Sequence, residues 1–198
     1  MHIRPITRAD ANAVAALHAT SWQGAYRGIL SDEYLDQRAP AERARYWNEQ
    51  LAAGSAPHFG LLAVDDHDTP IGFAFVVIDD DPVHGNLLDN LHVLPHAQGR
   101  GVGRALMSAI AGELATRGAR PTLFLWVYEE NRAARAFYDR MRGTPMDRTM
   151  VTTLDGRRAW QWRYSWTDTG ALRSPVRHIR SEPSNPEPGA AVQRSDQE

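Results

Sequence analysis

Gln98, Gly99, Arg100, Gly101, Val102, Gly103 and Arg104 run straight into an apolar-periodic helix and follow a β-like segment ending Leu91, His92, Val93, Leu94, Pro95. A strand, a glycine-rich turn and a helix start in that order expose unpaired backbone amides at the positive end of a helix dipole. An anion such as a pyrophosphate binds there without any basic side chain. Glycine supplies the φ freedom and close approach that such a loop needs. A plain strand-to-helix turn would use the same glycines, so spacing alone leaves both readings open. The G-x-G-x-x-G dinucleotide fingerprint fails, because Gly99 and Gly101 would require a small residue at Arg104, and Gly101 and Gly103 would require one at Leu106.

A second constellation lies downstream, where Asn131, Ala134, Ala136, Phe137 and Tyr138 follow a strand-like run. Asn131 and Tyr138 are seven positions apart; on a helix they share a face, roughly 10.5 Å apart along the axis. A phenol, with a pKa of about 10, is chemically able to serve as a general acid. An aromatic closing an amphipathic helix also suits simple core packing beside Phe137.

The elements that must position these residues are legible in order. His2 to Ile6 alternates as a strand, and Thr7 with Asp10 resembles a capping box opening a helix through Leu17 and His18. Ser31 signals a second helix start, and Pro40 suits the first turn of a helix through Trp47. Phe59–Val64, Ile71–Ile78 and Leu87–Leu94 read as strands, then come a helix from Gly101 to about Arg117, a strand over Thr122–Tyr128 and a helix over Asn131–Met141. A hairpin turning at Asp155 and Gly156 closes the series. The order is mixed α/β.

Composition sets the limits. The chain has 198 residues, 42% of them hydrophobic, enough for one α/β core, and its net charge of −2 gives no broad basic field for nucleic acid. No apolar run approaches the ~20 residues of a membrane span and no signal peptide is evident, so the cytoplasm is the expected compartment. Cysteine is absent, which removes thiolate ligands and a cysteine nucleophile. Lysine is absent too, which excludes a Walker A loop. His92 and His96 have the interval of a helical zinc pair, but Pro95 stands between them on a predicted strand, so no metal is expected. The acidic runs at Asp65, Asp66, Asp68 and at Asp79, Asp80, Asp81 fall where strand turns are expected and read as solvated loops. Prolines, serines and charges dominate from 167 onward; residues 1–166 read as the folded domain and 167–198 as a disordered tail.

The pattern Q-x-x-G-x-G at Gln98, Gly101 and Gly103, with N-x-x-A-x-A-F-Y from Asn131 to Tyr138, resembles the coenzyme A motifs of the GCN5-related N-acetyltransferase family. The resemblance covers roughly residues 2 to 166. It implies a six- or seven-stranded mixed sheet flanked by helices, with the fourth and fifth strands splayed to admit acetyl-CoA as cosubstrate. It further implies an amine acceptor, small molecule or peptide, and direct attack of that amine on the thioester. Leu91, His92, Val93, Gln98, Gly99, Arg100, Gly101, Val102, Gly103, Arg104 and Asn131 are then the expected cofactor-binding positions. Val93 matches the position whose amide meets the oxyanion, and Tyr138 matches the general acid. Many relatives carry glutamate where this chain has Leu87; Asp89 is the nearest acid, and strict alternation would keep it on one face with Leu87, Leu91 and Val93. A carboxylate simply hydrogen-bonded to Asn90 is the competing reading. Trp22 to Leu30 resembles a stretch that usually covers the acceptor, with Trp22 and Tyr26 as candidate lining, although helical spacing of aromatics also means core. After Tyr138 the family usually has glycine then phenylalanine, whereas Gly143 here precedes Thr144 and Pro145, which leaves the helix exit open. A transferase of longer acyl chains and a non-catalytic acyl-CoA-binding module are the alternatives, and a homodimer is left open.

Overall fold

The Asp10 carboxylate accepts hydrogen bonds from the Thr7 amide and hydroxyl, both at 2.8 Å, and Arg4 closes on it at 2.7 and 2.9 Å. This knot joins strand β1 (His2–Pro5) to helix α1 (Ala11–Ala25) and satisfies helix-start amides that would otherwise lack partners. The computed structural model describes residues 1–53 and 57–173. A π-helical turn at Tyr34–Arg38 leads into α2 (Ala39–Ala52), with Pro40 in its first turn. Then come β2 (His58–Val64), β3 (Pro70–Asp81), β4 (Gly85–Val93), α3 (Val102–Thr116), β5 (Leu123–Tyr128), α4 (Arg132–Arg140), β6 (Thr144–Thr152) and β7 (Arg158–Trp166). They form one seven-stranded sheet in the order β1-β2-β3-β4-β5-β7-β6, antiparallel except where β4 runs parallel to β5.

Adjacent residues of β2 show how the sheet divides the core. Leu61 packs with Leu106, Met107 and Ile110 of α3, whereas Leu62 packs with Val14, Leu17 and Trp47 of α1 and α2. Alternation along the strand thus places α1 and α2 on one face and α3 and α4 on the other. A side chain of this size, fully buried, contributes about 1.5–3 kcal/mol. Among the described residues no helix is long and apolar enough to cross a membrane.

Two features of β4 govern everything that follows. It pairs with β5 only at Asn86 opposite Leu123 and Leu87 opposite Phe124, after which the two strands part. Against β3, Phe75 faces Asn90 and Val76 faces Leu88, so Asp89 has no partner and forms a bulge. The extra residue switches the edges: Asn86 sends its amide to Thr122 beside β5, whereas Leu94 sends its amide to Ile71 of β3. It also switches the faces, because Leu88, Leu91 and Val93 all pack toward α3. The expected grouping of Asp89 and Leu87 with Leu91 and Val93 is therefore corrected; strict period two does not survive the bulge.

Past Tyr138 the helix exit is orderly without a following phenylalanine. Arg142 takes a left-handed conformation (φ 61°) and Gly143 donates its amide to the Tyr138 carbonyl at 2.9 Å. The ordered chain also runs beyond Trp166. Thr169 donates its amide to Pro121 at 2.7 Å and Leu172 is buried in the core, so the folded unit extends past the expected boundary. The rest of the expected tail, 174–198, lies outside the described residues.

Candidate active site

A cleft of about 800 Å³ opens where β4 and β5 part. The loop between β4 and α3 walls one end. Gly99 and Gly101 hold φ of 73° and 85°, and a Cβ at either would meet nothing within 4 Å. Glycine there allows the left-handed backbone and leaves room toward the cleft. The first helical bond of α3 runs from the Ala105 amide to Gly101, so the amides of Val102, Gly103 and Arg104 lie ahead of the ladder. Gly103 serves packing instead, since a Cβ would come within 3.2 Å of the Phe137 ring.

The other expected loop residues divide by role. Gly99, Gly101, Gly103, Arg104, Leu91, His92 and Val93 line the cleft, as does Gln98. The Gln98 side-chain amide, however, donates to the Val93 carbonyl at 3.1 Å. Val102 turns its side chain into the core, leaving only its backbone for the loop, and Arg100 is exposed and does not line the cleft. With Leu94 bonded to β3, alternation turns the Val93 amide toward the gap.

Across the cleft, Asn131 caps α4 by accepting the Ala134 amide at 3.2 Å, and it lines the wall. Tyr138 lies one helix length away, buried against Phe137, Tyr164 and Trp166, with part of its surface on the cleft. Burial pushes its phenol well above the ordinary value of 10. The hydroxyl therefore keeps its proton near neutrality. A phenol held this firmly protonated can donate a hydrogen bond into the cleft, and it is a weaker proton donor than an ordinary phenol.

The opposite side of the gap belongs to the end of α1 and to β5. Tyr26, at the end of α1, lines it and meets Tyr128 edge to face at 5.3 Å. Trp126 lines it as well, with the Arg163 guanidinium over its ring at 4.8 Å. Trp22 does not: it is buried, with the Arg43 guanidinium over its ring at 4.6 Å and His18 edge to face at 4.6 Å. Of the two expected lining aromatics, only Tyr26 reaches the cleft. His92 turns its ring away from α3 to Ser21, 3.0 Å distant, and lies 4.5 Å from His18. Burial, with Arg43 adding to it, lowers the His92 pKa to about 3, so the ring is a neutral structural partner.

Asp89 sits at the solvent-open mouth of the cleft. Its Oδ2 accepts hydrogen bonds from Asn90 Nδ2 at 2.6 Å and, more loosely, from the Tyr46 hydroxyl at 3.4 Å. Partial desolvation raises its pKa and Asp80 adds to this, while Tyr46, Arg43 and Asn90 oppose it. The carboxylate lies on the α2 face and Tyr138 on the α3 and α4 face, and both line the cleft where the sheet splits. Trp126, Tyr128 and Tyr46 escaped sequence reasoning. The first two alternate with Leu125 and Val127 in an apolar run that reads as core, and Tyr46 meets Asp89 across 43 positions of chain.

Residues 21–143 match the family model described as the Acetyltransferase (GNAT) family. A mycothiol acetyltransferase of Clavibacter sepedonicus is 35% identical over 149 residues, spanning 73% of this chain and 43% of that one. The alanine N-acetyltransferase of ribosomal protein bS18 from Escherichia coli is 30% identical over 151 residues, 74% of this chain and 91% of the relative. Among solved structures, the PaiA N-acetyltransferase of Thermoplasma acidophilum in complex with coenzyme A superposes with a TM-score of 0.64 at 19% identity, over 83% of this chain and 98% of that one. The matched span takes in the bulged strand, the glycine loop, α3 and α4 as one stretch, and the chain belongs to the GNAT acetyltransferase family.

Proposed function

We propose that this chain transfers an acetyl group from acetyl-CoA to a primary amine by direct attack, with Tyr138 serving the leaving sulfur and Asp89 the incoming amine. The observation that carries the reading is the single cleft where β4 and β5 part, lined by α1 on one side and by the glycine loop, α3 and α4 on the other, so that two substrates could meet in it. The residues present fit coenzyme A: the leading amides of α3 suit a pyrophosphate, and the bare Cα positions of Gly99 and Gly101 leave space for it. The Thermoplasma relative was solved with coenzyme A. Gln98, Gly99, Gly101, Gly103 and Arg104 would form the phosphate end, with Leu91, Val93 and Asn131 along the arm.

Acetyl-CoA, when bound, supplies a thioester carbonyl that a neutral amine can attack. The Val93 amide, turned toward the gap by the Leu94–Ile71 bond, would donate to the oxygen on which charge develops. Asp89, its pKa raised by desolvation above the ordinary carboxylate value, takes the proton that the amine sheds as the N–C bond forms, directly or through water. Tyr138 donates to the sulfur as the C–S bond breaks. Tyr26 and Trp126 form the acceptor wall, with Tyr128 packed behind Tyr26.

Calorimetric titration of acetyl-CoA into the wild type and Asn131→Ala, followed by thiol release from Tyr138→Phe against a panel of amines, tests this. Tyr138→Phe should bind acetyl-CoA normally and turn over about 10²-fold or more slowly. Absence of acetyl-CoA binding by the wild type would sink the proposal, and binding with no turnover of any amine would favour a regulatory acyl-CoA module.

A further inference from the structure

Asp89 gains its orientation from a helix that takes no part in the cleft lining. Tyr46, on α2, brings its hydroxyl to 3.4 Å from the Asp89 carboxylate, and Trp47 meets the Tyr46 ring edge-on at 5.1 Å. The Arg43 guanidinium, one helical turn earlier, lies between two aromatic faces, 5.0 Å from the Tyr46 ring and 4.6 Å from Trp22. Its Nε is buried and has no hydrogen-bond partner among the described residues. Among those residues Arg43 also forms no ion pair, unlike Arg4, Arg27 and Arg38 nearby in sequence. An arginine clamped between rings, with its charge uncommitted, projects that charge on whatever lies behind the rings.

We propose that Tyr46, backed by Arg43, is a positioning pair that fixes the Asp89 carboxylate at the acceptor mouth of the cleft. The bulge makes this necessary, because Asp89 has no partner in β3 to hold its backbone. The inference rests on the reading of Asp89 as the amine's proton acceptor only for its catalytic consequence. The charged and titratable groups that face Asp89 are Tyr46 and Arg43 from α2, Asp80 from β3 and Tyr26 from α1; Asn90 is its neighbour on β4. Only the α2 pair favours the ionised form from another element.

The experiment is a carbon-13 titration of the Asp89 carboxyl in the full chain, with the signal assigned by its loss in Asp89→Asn. The titration midpoint should move upward in Tyr46→Phe and in Arg43→Gln, and Arg43→Lys, which keeps the charge, should return it most of the way. An unmoved midpoint in Arg43→Gln, or in a folded Tyr46→Phe, overturns the pairing. The Arg43 variants decide the matter alone if Tyr46→Phe fails to fold. The acid limb of kcat/KM is then recorded for the same proteins. A limb that follows the carbon signal supports both readings, whereas a moved carbon signal with a fixed limb keeps the pairing and removes Asp89 as the base.

Discussion

The side-chain amide of Gln98 donates to the carbonyl of Val93 over 3.1 Å, tying the glycine loop to the last residue of β4. One bond thereby sets the spacing between the amides that suit phosphate and the amide that faces the gap. Gln98→Ala should forfeit about 1 kcal/mol, read as roughly fivefold weaker acetyl-CoA binding by calorimetry. Since Val93 loses its restraint too, kcat should fall in the same variant, which distinguishes a brace from a simple ligand contact.

Gly101→Ala tests the loop from its backbone. At φ 85° an alanine is strained, and the chain should lose about 1–2 kcal/mol of stability in thermal unfolding. The methyl group would also stand in the open space above the loop. Cofactor binding should therefore weaken by more than the stability change accounts for; a variant that binds acetyl-CoA normally would rule out a phosphate at this loop.

The tip of the β6–β7 hairpin reaches the segment between α1 and α2, where Asp155 Oδ2 accepts the Ser31 amide at 2.7 Å. Burial alone would raise the Asp155 pKa, but bonds from Thr153 and from the Ser31 and Arg157 backbones bring it to about 2. A depressed carboxylate contributes stability above its unfolded value near 3.8 and loses it as the pH falls toward 2. Asp155→Asn should cost about 1.5–3 kcal/mol at neutral pH in urea unfolding. It should also raise the acceptor KM while leaving acetyl-CoA affinity unchanged, because the tether holds only the acceptor side.

His92 and His18 set a second acid sensitivity of opposite origin. Burial lowers both, His92 from 6.5 to about 3. The unfolded chain binds protons that the folded chain refuses, so stability is unaffected above pH 6.5 and declines below it, for His92 down to about pH 3. His92→Gln can keep a hydrogen bond to Ser21 without that penalty. Between pH 7.5 and 5 its urea midpoint should fall less than that of the wild type; an equal fall would show that His92 is not buried neutral.

The elements were legible because their signals are local. Thr7 and Asp10 announce α1, Pro40 the first turn of α2, and Gly99 to Gly103 the junction of β4 with α3. The family motifs at Gln98–Gly103 and Asn131–Tyr138 added the cleft. What escaped was whatever depends on one residue of register or on distant chain. The bulge at Asp89 leaves the sequence alternating plausibly through Leu87, Asp89 and Leu91, yet it moves the carboxylate to the other face. Trp22 and Tyr26 share a helical stripe, but α2 covers Trp22 and stops short of Tyr26, and no spacing rule contains that ending. Likewise Val102 stands within the loop motif and spends its side chain on the core.

The split between β4 and β5 has a consequence for how such a protein can change over time. One side of the cleft is lined by the end of α1 and by β5, the other by the glycine loop, α3 and α4. On the proposed reading, a substitution on the first side would change which amine is admitted without touching the glycine loop or Tyr138. A scaffold divided in this way can vary in one compartment and hold the other fixed, and Tyr26 and Trp126 are the side chains on which such variation would act.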